Sequence, residues 1–174
     1  MANLEQRVQR LEDIDAIKTL KNSYHLYIND CQFDRLGALF TENATVNMGY
    51  MSDGSGVWRG RALIGSKLAE IPQHLSQIKQ FLHNHSVEVD GDDASGWAFL
   101  EARYGVEADS FNVAAKYEDT YKRVDGAWLF DTMNVKFYYT APMLAGWAMR
   151  RRHQLARVAD IATLESPLIP NPPI

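Results

Sequence analysis

Between Ile78 and Tyr139 the chain carries four runs in which apolar and polar residues alternate: Ile78 to Val89, Gly96 to Glu107, Phe111 to Arg123 and Ala127 to Tyr139. Alternation of period two over runs this long marks strands with one buried face. Asp90-Gly91-Asp92 and Asp125-Gly126 lie between such runs. Asp-Gly readily takes the positive φ of tight hairpin turns, so the runs are expected to join as an antiparallel meander. A sheet of that size must cover its apolar face with something.

The first part of the chain supplies the cover. Leu4, Val8, Leu11, Ile14, Ile17, Leu20, Tyr24 and Ile28 recur at helical spacing with charged residues between them, which predicts one long helix ending near Asp30, with Glu12 to Asp15 as the place where it could break. A short helix is expected over Phe33 to Phe40, a strand over Ala44 to Met48, and a third helix from Arg61 to Ile71, stopped by Pro72. Ser52-Asp53-Gly54-Ser55-Gly56 is a turn or mobile loop by composition. Leu144, Trp147, Leu155, Val158 and Ile161 predict a C-terminal helix over about 143–165, followed by an extended tail over 166–174. The expectation is an α+β fold in one domain spanning 1–174: a strongly curved sheet wrapped around the N-terminal helix, leaving a concave interior where small ligands bind.

Composition narrows the partners. With 46% hydrophobic residues and a net charge of −4, the 174-residue chain can bury a core and lacks the basic surface that nucleic acid requires. The nearest basic cluster, Arg150 to Arg152, reads as a solvated helix face. Cys31 is the single cysteine, so no internal disulfide is possible, and it reads as a small buried hydrophobe in a reducing compartment. No run of 18 apolar residues occurs and the first ten residues are polar, so neither a membrane span nor a signal peptide is expected and the location is read as cytoplasmic. No ligand cluster, phosphate loop or dinucleotide fingerprint is present, hence the expectation of no metal and no organic cofactor.

Ile17 to Asp30, Phe33-Asp34-Arg35-Leu36 with Leu39-Phe40, Val87-Glu88-Val89-Asp90-Gly91-Asp92, and Tyr117 to Trp128 together resemble the SnoaL-like branch of the nuclear-transport-factor-two-like superfamily. The resemblance covers about residues 10–147. It implies a cone-shaped half-barrel, also called cystatin-like, and it points to cofactor-independent lyases: scytalone and bile-acid dehydratases, hexachlorocyclohexane dehydrochlorinase, and the diarylpropane lyases that release formaldehyde from lignin fragments. In the first three an aspartate on the helix and a histidine on a strand form an acid/base dyad. By this resemblance the aspartate position falls on Asn29 and the histidine position on Gln80, two amides that bind but transfer no proton. Asp30, one residue on, and His83 or His85, three and five residues on, would restore a dyad if the chain shifted locally.

Several residues can carry chemistry. Tyr24 occupies the place of the pocket tyrosine of bile-acid dehydratase, and Tyr27 lies one turn from it; both also suit simple packing. Asp30 is either a base or a turn former at the helix end. His83 and His85 alternate with Phe81, Val87 and Val89 and are expected on one apolar face as base or substrate contact, the other use being structural; a metal would need a third ligand that the sequence does not offer. Arg103 shares a face with Trp97 and Phe99, and Asn134 shares one with Trp128 and Phe130; these are site residues if the face is concave and surface residues if it is convex. Tyr50 belongs to the aromatics near the expected mouth.

The function expected from these residues and the resemblance is a lyase acting on a hydrophobic hydroxylated aromatic or polycyclic molecule. Tyr24, His83, Asp30 and Arg103 are the catalytic candidates; Asn29, Tyr27, Tyr50, Gln80, His85 and Asn134 are the substrate contacts. An isomerase or polyketide-type cyclase using a buried Asp30, and a non-catalytic binding or assembly subunit, are the other two readings. A homodimer or homotrimer is expected from apolar surface on the convex sheet face and the C-terminal helix.

Overall fold

The computed structural model of the chain describes residues 3–49 and 56–146. Tyr50, most of the glycine-rich loop, Arg150 to Arg152 and nearly all of the expected C-terminal helix and tail lie outside the described residues.

Helix α1 spans Leu4–Asn29 without a break. Asn3 starts it through a capping box, its Oδ1 accepting from Gln6 N–H at 2.8 Å while Gln6 Oε1 accepts from Asn3 N–H at 3.0 Å. Cys31, with φ 58°, reverses the chain after the helix and is exposed, which corrects the expectation of a buried thiol. The apolar stripe is buried only from Ile17 onward; Leu4, Val8 and Leu11 are exposed. A 3-10 helix, Phe33–Leu39, leads into strand β1, Phe40–Asn47. Strand β2, Val57–Arg59, was not foreseen. It is followed by α2, Arg61–Ala69, and by the single turn α3, Ile71–His74. Strands β3, Gln77–Asp90; β4, Asp93–Val106; β5, Asp109–Val124; and β6, Ala127–Pro142, form the long meander.

The six strands make one curved, unclosed sheet in the order β2-β1-β6-β5-β4-β3. All neighbours are antiparallel except β1 and β6, which run parallel, so the sheet is mixed. Asp125 and Gly126, both at positive φ, close the β5–β6 hairpin as the Asp-Gly pair implies. Helix α1 lies across the concave face, with Ile17, Leu20, Tyr24 and Ile28 in one core with Phe40, Tyr117, Tyr121, Phe130, Met133 and Val135.

One ion cluster fixes how α1 crosses the sheet. Arg123 donates both Nη atoms to the Asp13 carboxylate at 2.7 and 2.8 Å and its Nε to Asp92 at 2.9 Å, while Trp128 Nε1 donates to Asp13 at 3.1 Å. The bidentate pairing holds the Asp13 carboxyl below its usual range, and it anchors the helix to the two hairpin ends of the meander.

Two bulges decide which side chains face the helix. In β3 the register slips between His83 and Ser86, with Asn84 at φ 52°. Ile78, Gln80 and Leu82 face inward before the slip, and His85, Val87 and Val89 after it. In β6 a slip opposite Thr120/Tyr121 changes the inward set from Trp128 and Phe130 to Met133 and Val135. The expected sharing of one face by His83 and His85, and by Asn134 and Phe130, is corrected by these slips: an extra residue inverts every side chain beyond it.

Candidate functional site

The positions that the helix stripe and the inward phase of β5 share carry charges. Lys21 stands four residues after Ile17 and seven before Ile28, on the buried stripe, and Asp119 stands between the inward Tyr117 and Tyr121. Their side chains are 0% and 1% exposed, with Lys21 Nζ 2.7 Å from Asp119 Oδ2. The ammonium also lies 3.3 Å from the centroid of the Tyr117 ring, a cation–π contact that replaces part of its lost hydration. Burial draws the Lys21 amine below its ordinary range and pushes the Asp119 carboxyl up, each shift being opposed by the partner's charge.

From Asp119 a chain of hydrogen bonds leads across the sheet. Tyr121 donates its hydroxyl proton to Asp119 Oδ2 at 3.2 Å, and the same hydroxyl lies 3.2 Å from His85 Nε2. The β3 bulge is what turns His85 inward to meet it. Gly96 keeps the place open: a Cβ there would come within 2.7 Å of Ser86 O and 3.5 Å of His85 Nε2. Beside this chain lie His25 and Tyr24, adjacent on α1, whose rings meet edge to face at 5.4 Å. Tyr24 also packs edge-on against Phe130 at 5.9 Å.

The electrostatics of the concave face favour neutral histidines and protonated tyrosines. Burial, then the Lys21 charge, pushes His25 down to about 3, and burial with Lys21 and Lys18 pushes His85 down to about 4. Burial raises the Tyr24, Tyr117 and Tyr121 hydroxyls far above their ordinary value. Among the described residues, both ring nitrogens of His25, His85 Nδ1, Gln80 Oε1 and Asp119 Oδ1 are buried with no hydrogen bond of good geometry, although the Gln80 side chain lies near enough to His25, and the Asn134 backbone N–H near enough to Asp119, to bear on their titration. Buried polar atoms are normally paired, so such a group of orphans marks a place where a ligand or water completes the bonding.

The residues named from the sequence separate into two groups. Tyr24, His85 and the Gln80 side chain belong to the concave cluster. Asn29 lies beside it, but its amide is engaged as a brace: Nδ2 donates to Gln80 O at 2.8 Å and Oδ1 accepts from Gln80 N–H at 2.7 Å, tying the end of α1 to β3. Tyr27 is half-buried under the Arg35 guanidinium, 4.1 Å from its ring centroid. Asp30 is exposed at the helix end, with its backbone N–H capping Leu26 O, so it is not the buried carboxylate that an isomerase would need there. Tyr50 lies outside the described residues.

His83, Arg103 and Asn134 stand on the opposite, convex face. His83 Nε2 is 3.7 Å from Glu101 Oε2, with both side chains about half exposed, and Arg103 Nη2 is 3.2 Å from Glu101 Oε1. Asn134 donates to Glu118 O at 3.3 Å. An open cleft of about 620 Å3 on this side is lined by His83, Phe99, Glu101, Arg103, Asn112 and Tyr138 among others. Its charged groups pair with one another in solvent, where such pairs contribute little.

Lys21, His25, Asp119 and Tyr121 escaped the sequence reading. Their signal was there: a lysine and a histidine at i and i+4 around Tyr24 on the apolar stripe, and a carboxylate in the apolar phase of a strand. Among the described residues no group of three or more His, Cys, Asp or Glu side chains is arranged to hold a metal ion, and no helix is long and apolar enough to cross a membrane.

The fold has solved relatives. A protein of Novosphingobium aromaticivorans provisionally called scytalone dehydratase superposes with a TM-score of 0.69 at 19% identity, over 84% of this chain and 95% of its own. A type 3 hexachlorocyclohexane dehydrochlorinase of Novosphingobium barchaimii gives 0.70 at 22% identity, over 84% and 99%. A type 2 hexachlorocyclohexane dehydrochlorinase gives 0.71 at 23%, over 83% and 97%. At these identities the likeness is one of fold. The sequence pattern of the SnoaL-like domain matches residues 9–134, well over half of the chain, and the chain belongs to that family.

Proposed function

We propose that the protein is a cofactor-independent lyase acting on a hydrophobic hydroxylated aromatic or polycyclic molecule held on the concave face. The observation that carries this reading is the pairing, in one apolar interior, of a neutral histidine with a bare nitrogen and a tyrosine that keeps its proton. His85 Nδ1 takes a proton from the substrate, and the Tyr121–Asp119 chain steadies the imidazolium that forms. Tyr24 donates a hydrogen bond to the departing hydroxyl, which leaves as water with the proton that His85 hands on. A phenol in the substrate supplies electrons through a quinone-methide-like state, which lessens the demand on a base as weak as His85. The neighbour of the leaving hydroxyl then loses a proton, or a one-carbon fragment as formaldehyde. The names of the structural relatives, a dehydratase and dehydrochlorinases, support elimination as the class of reaction.

An isomerase or cyclase is the second reading, and one observation favours it. Asp119, not Asp30, is a buried carboxylate with a raised proton affinity and an unpaired Oδ1. Incubating the protein with hydroxylated aromatic and steroid-like compounds, while following ultraviolet spectra and released formaldehyde, separates the cases. Loss of water or formaldehyde supports the lyase; a shifted double bond with unchanged mass replaces it with the isomerase; no turnover of any compound leaves a binding subunit.

We further propose a homodimer or homotrimer assembled through the convex face, where Phe81, Trp97, Phe99 and Tyr138 are exposed. Light scattering at micromolar concentration should give two or three times the mass of 19.7 kDa; a monomer mass contradicts it. The expected cytoplasmic location and the absence of nucleic-acid partners remain part of this proposal.

A further inference from the structure

Lys21 takes no part in the chemistry proposed above, yet three contacts in series join it to His85: Lys21 to Asp119, Asp119 to Tyr121 and Tyr121 to His85. Each contact constrains the proton in the next. The Tyr117 ring, its centroid 3.3 Å from Lys21 Nζ, favours the charged ammonium over the neutral amine. An ammonium 2.7 Å from Asp119 Oδ2 in turn favours the ionised carboxylate, and the nearby Asn134 backbone N–H acts in the same direction.

An ionised carboxylate has no proton to give. The Tyr121 oxygen lies 3.2 Å from Asp119 Oδ2, and lone pairs facing each other across that gap repel, so the hydroxyl proton must lie between them. Tyr121 then presents only lone pairs to His85 Nε2, 3.2 Å away, and this second contact requires the ring proton to sit on Nε2. Nδ1 is left as the nitrogen with the free lone pair. Tyr24 and Tyr117 also feel the Asp119 charge, and His25 and Lys18 act on or are acted on by His85. Among the described residues, though, the hydroxyl of Tyr121 has its hydrogen-bond contacts with Asp119 and His85 alone.

We propose that Lys21 is a positioning residue that selects the tautomer of His85: its charge keeps Asp119 ionised, and the carboxylate, acting through Tyr121, keeps the ring proton on Nε2 and leaves Nδ1 bare. The proposal rests on the reading of His85 as the base and adds what sets that base in its active form. The loss of the ammonium can be followed proton by proton. A carboxylate left alone in an apolar interior takes up one proton from solvent. Oδ2, vacated by Lys21, carries it and donates to the Tyr121 oxygen; Tyr121 turns its own proton to His85 Nε2, and the ring proton moves to Nδ1. The cluster stays neutral, but the nitrogen that would accept the substrate proton is already occupied.

The test is nitrogen-15 NMR of the histidine-labelled full chain without ligand at pH 7.5, where bare and protonated ring nitrogens give well-separated signals. The His85 signals are assigned by their loss in His85→Gln. The parent should be protonated at Nε2 and bare at Nδ1. Lys21→Met should reverse that pattern and lower kcat about tenfold or more with KM little changed, whereas Lys21→Arg, which keeps the charge, should keep the parent tautomer. Tyr121→Phe cuts the series and leaves the ion pair in place; its two His85 signals should move toward a common average, and this variant decides alone if Lys21→Met does not fold. A parent ring bare at Nε2, reversal by Lys21→Arg as well as by Lys21→Met, or the parent tautomer unchanged in Tyr121→Phe or in folded Lys21→Met overturns the proposal. The expected tautomers without any product from any compound refute only the lyase reading. Turnover that needs His85, with a tautomer indifferent to Lys21 and Tyr121, refutes only the tautomer selection.

Discussion

Lys21 Nζ lies 2.7 Å from Asp119 Oδ2 with neither side chain open to solvent, joining the middle of the long helix to the middle of the sheet. Removing one partner of a buried pair leaves an uncompensated charge, which costs about 3–5 kcal/mol. Lys21→Met and Asp119→Leu should each lower the unfolding free energy measured in urea by that order, and the double variant should recover much of the loss. A double variant as unstable as the sum of the singles would show that the pair contributes more than charge balance.

His25 and His85 titrate below the ordinary value of 6.5, at about 3 and about 4. Between pH 6.5 and those values the unfolded chain binds protons that the folded chain refuses, so stability falls as the pH is lowered through this window. The loss is on the order of 3 kcal/mol by pH 4 from His25 alone, with a smaller, solvent-screened addition from the partly exposed His85. Thermal unfolding from pH 7.5 to 4.5 should show the fall, and His25→Leu should flatten part of it. A melting temperature constant over that range contradicts the burial of neutral imidazoles.

Asn29→Ala should act on the brace between α1 and β3. Two hydrogen bonds to the Gln80 backbone disappear, at a cost of about 1–3 kcal/mol. The Gln80 amide should exchange with deuterium faster than in the parent protein, while amides of β5 remain protected. Unchanged protection at Gln80 would show the brace to be dispensable.

Gly96→Ala tests the packing behind the site. The new methyl would press on the Ser86 carbonyl and on His85, so the β3 bulge must shift or the His85–Tyr121 contact must open. We expect turnover to fall more than stability. The reverse order would mean that the bulge adjusts without moving His85.

The fold was legible because period and turn chemistry agree along the chain: Asp125-Gly126 takes the positive φ its composition favours, and the stripe from Ile17 to Ile28 is buried as its spacing implies. The candidate cluster on the concave face was legible only in part. Tyr24, Gln80 and His85 were named, yet His83 was ranked above His85, because strict alternation across β3 cannot reveal that Asn84 adopts a left-handed conformation and inverts the faces. Asn134 was misplaced by the same kind of slip in β6. Lys21 and Asp119 were passed over since each looks, in its own segment, like an ordinary surface charge; only the tertiary pairing shows that they neutralise one another. Leu4, Val8 and Leu11 were read as core, but the helix extends past the sheet edge before they are reached.

The most direct measurement of the central claim compares turnover of His85→Ala and His83→Ala on the same substrate, with Tyr24→Phe as a third arm. His85→Ala and Tyr24→Phe should each reduce kcat by about 10²-fold or more, the usual worth of one proton-transferring group, with melting temperatures close to the parent's. His83→Ala, half exposed on the convex face beside Glu101, should leave kcat within about twofold and stability within about 0.5 kcal/mol. Loss of activity in His83→Ala with full activity in His85→Ala would contradict the account and move the chemistry to the outer cleft.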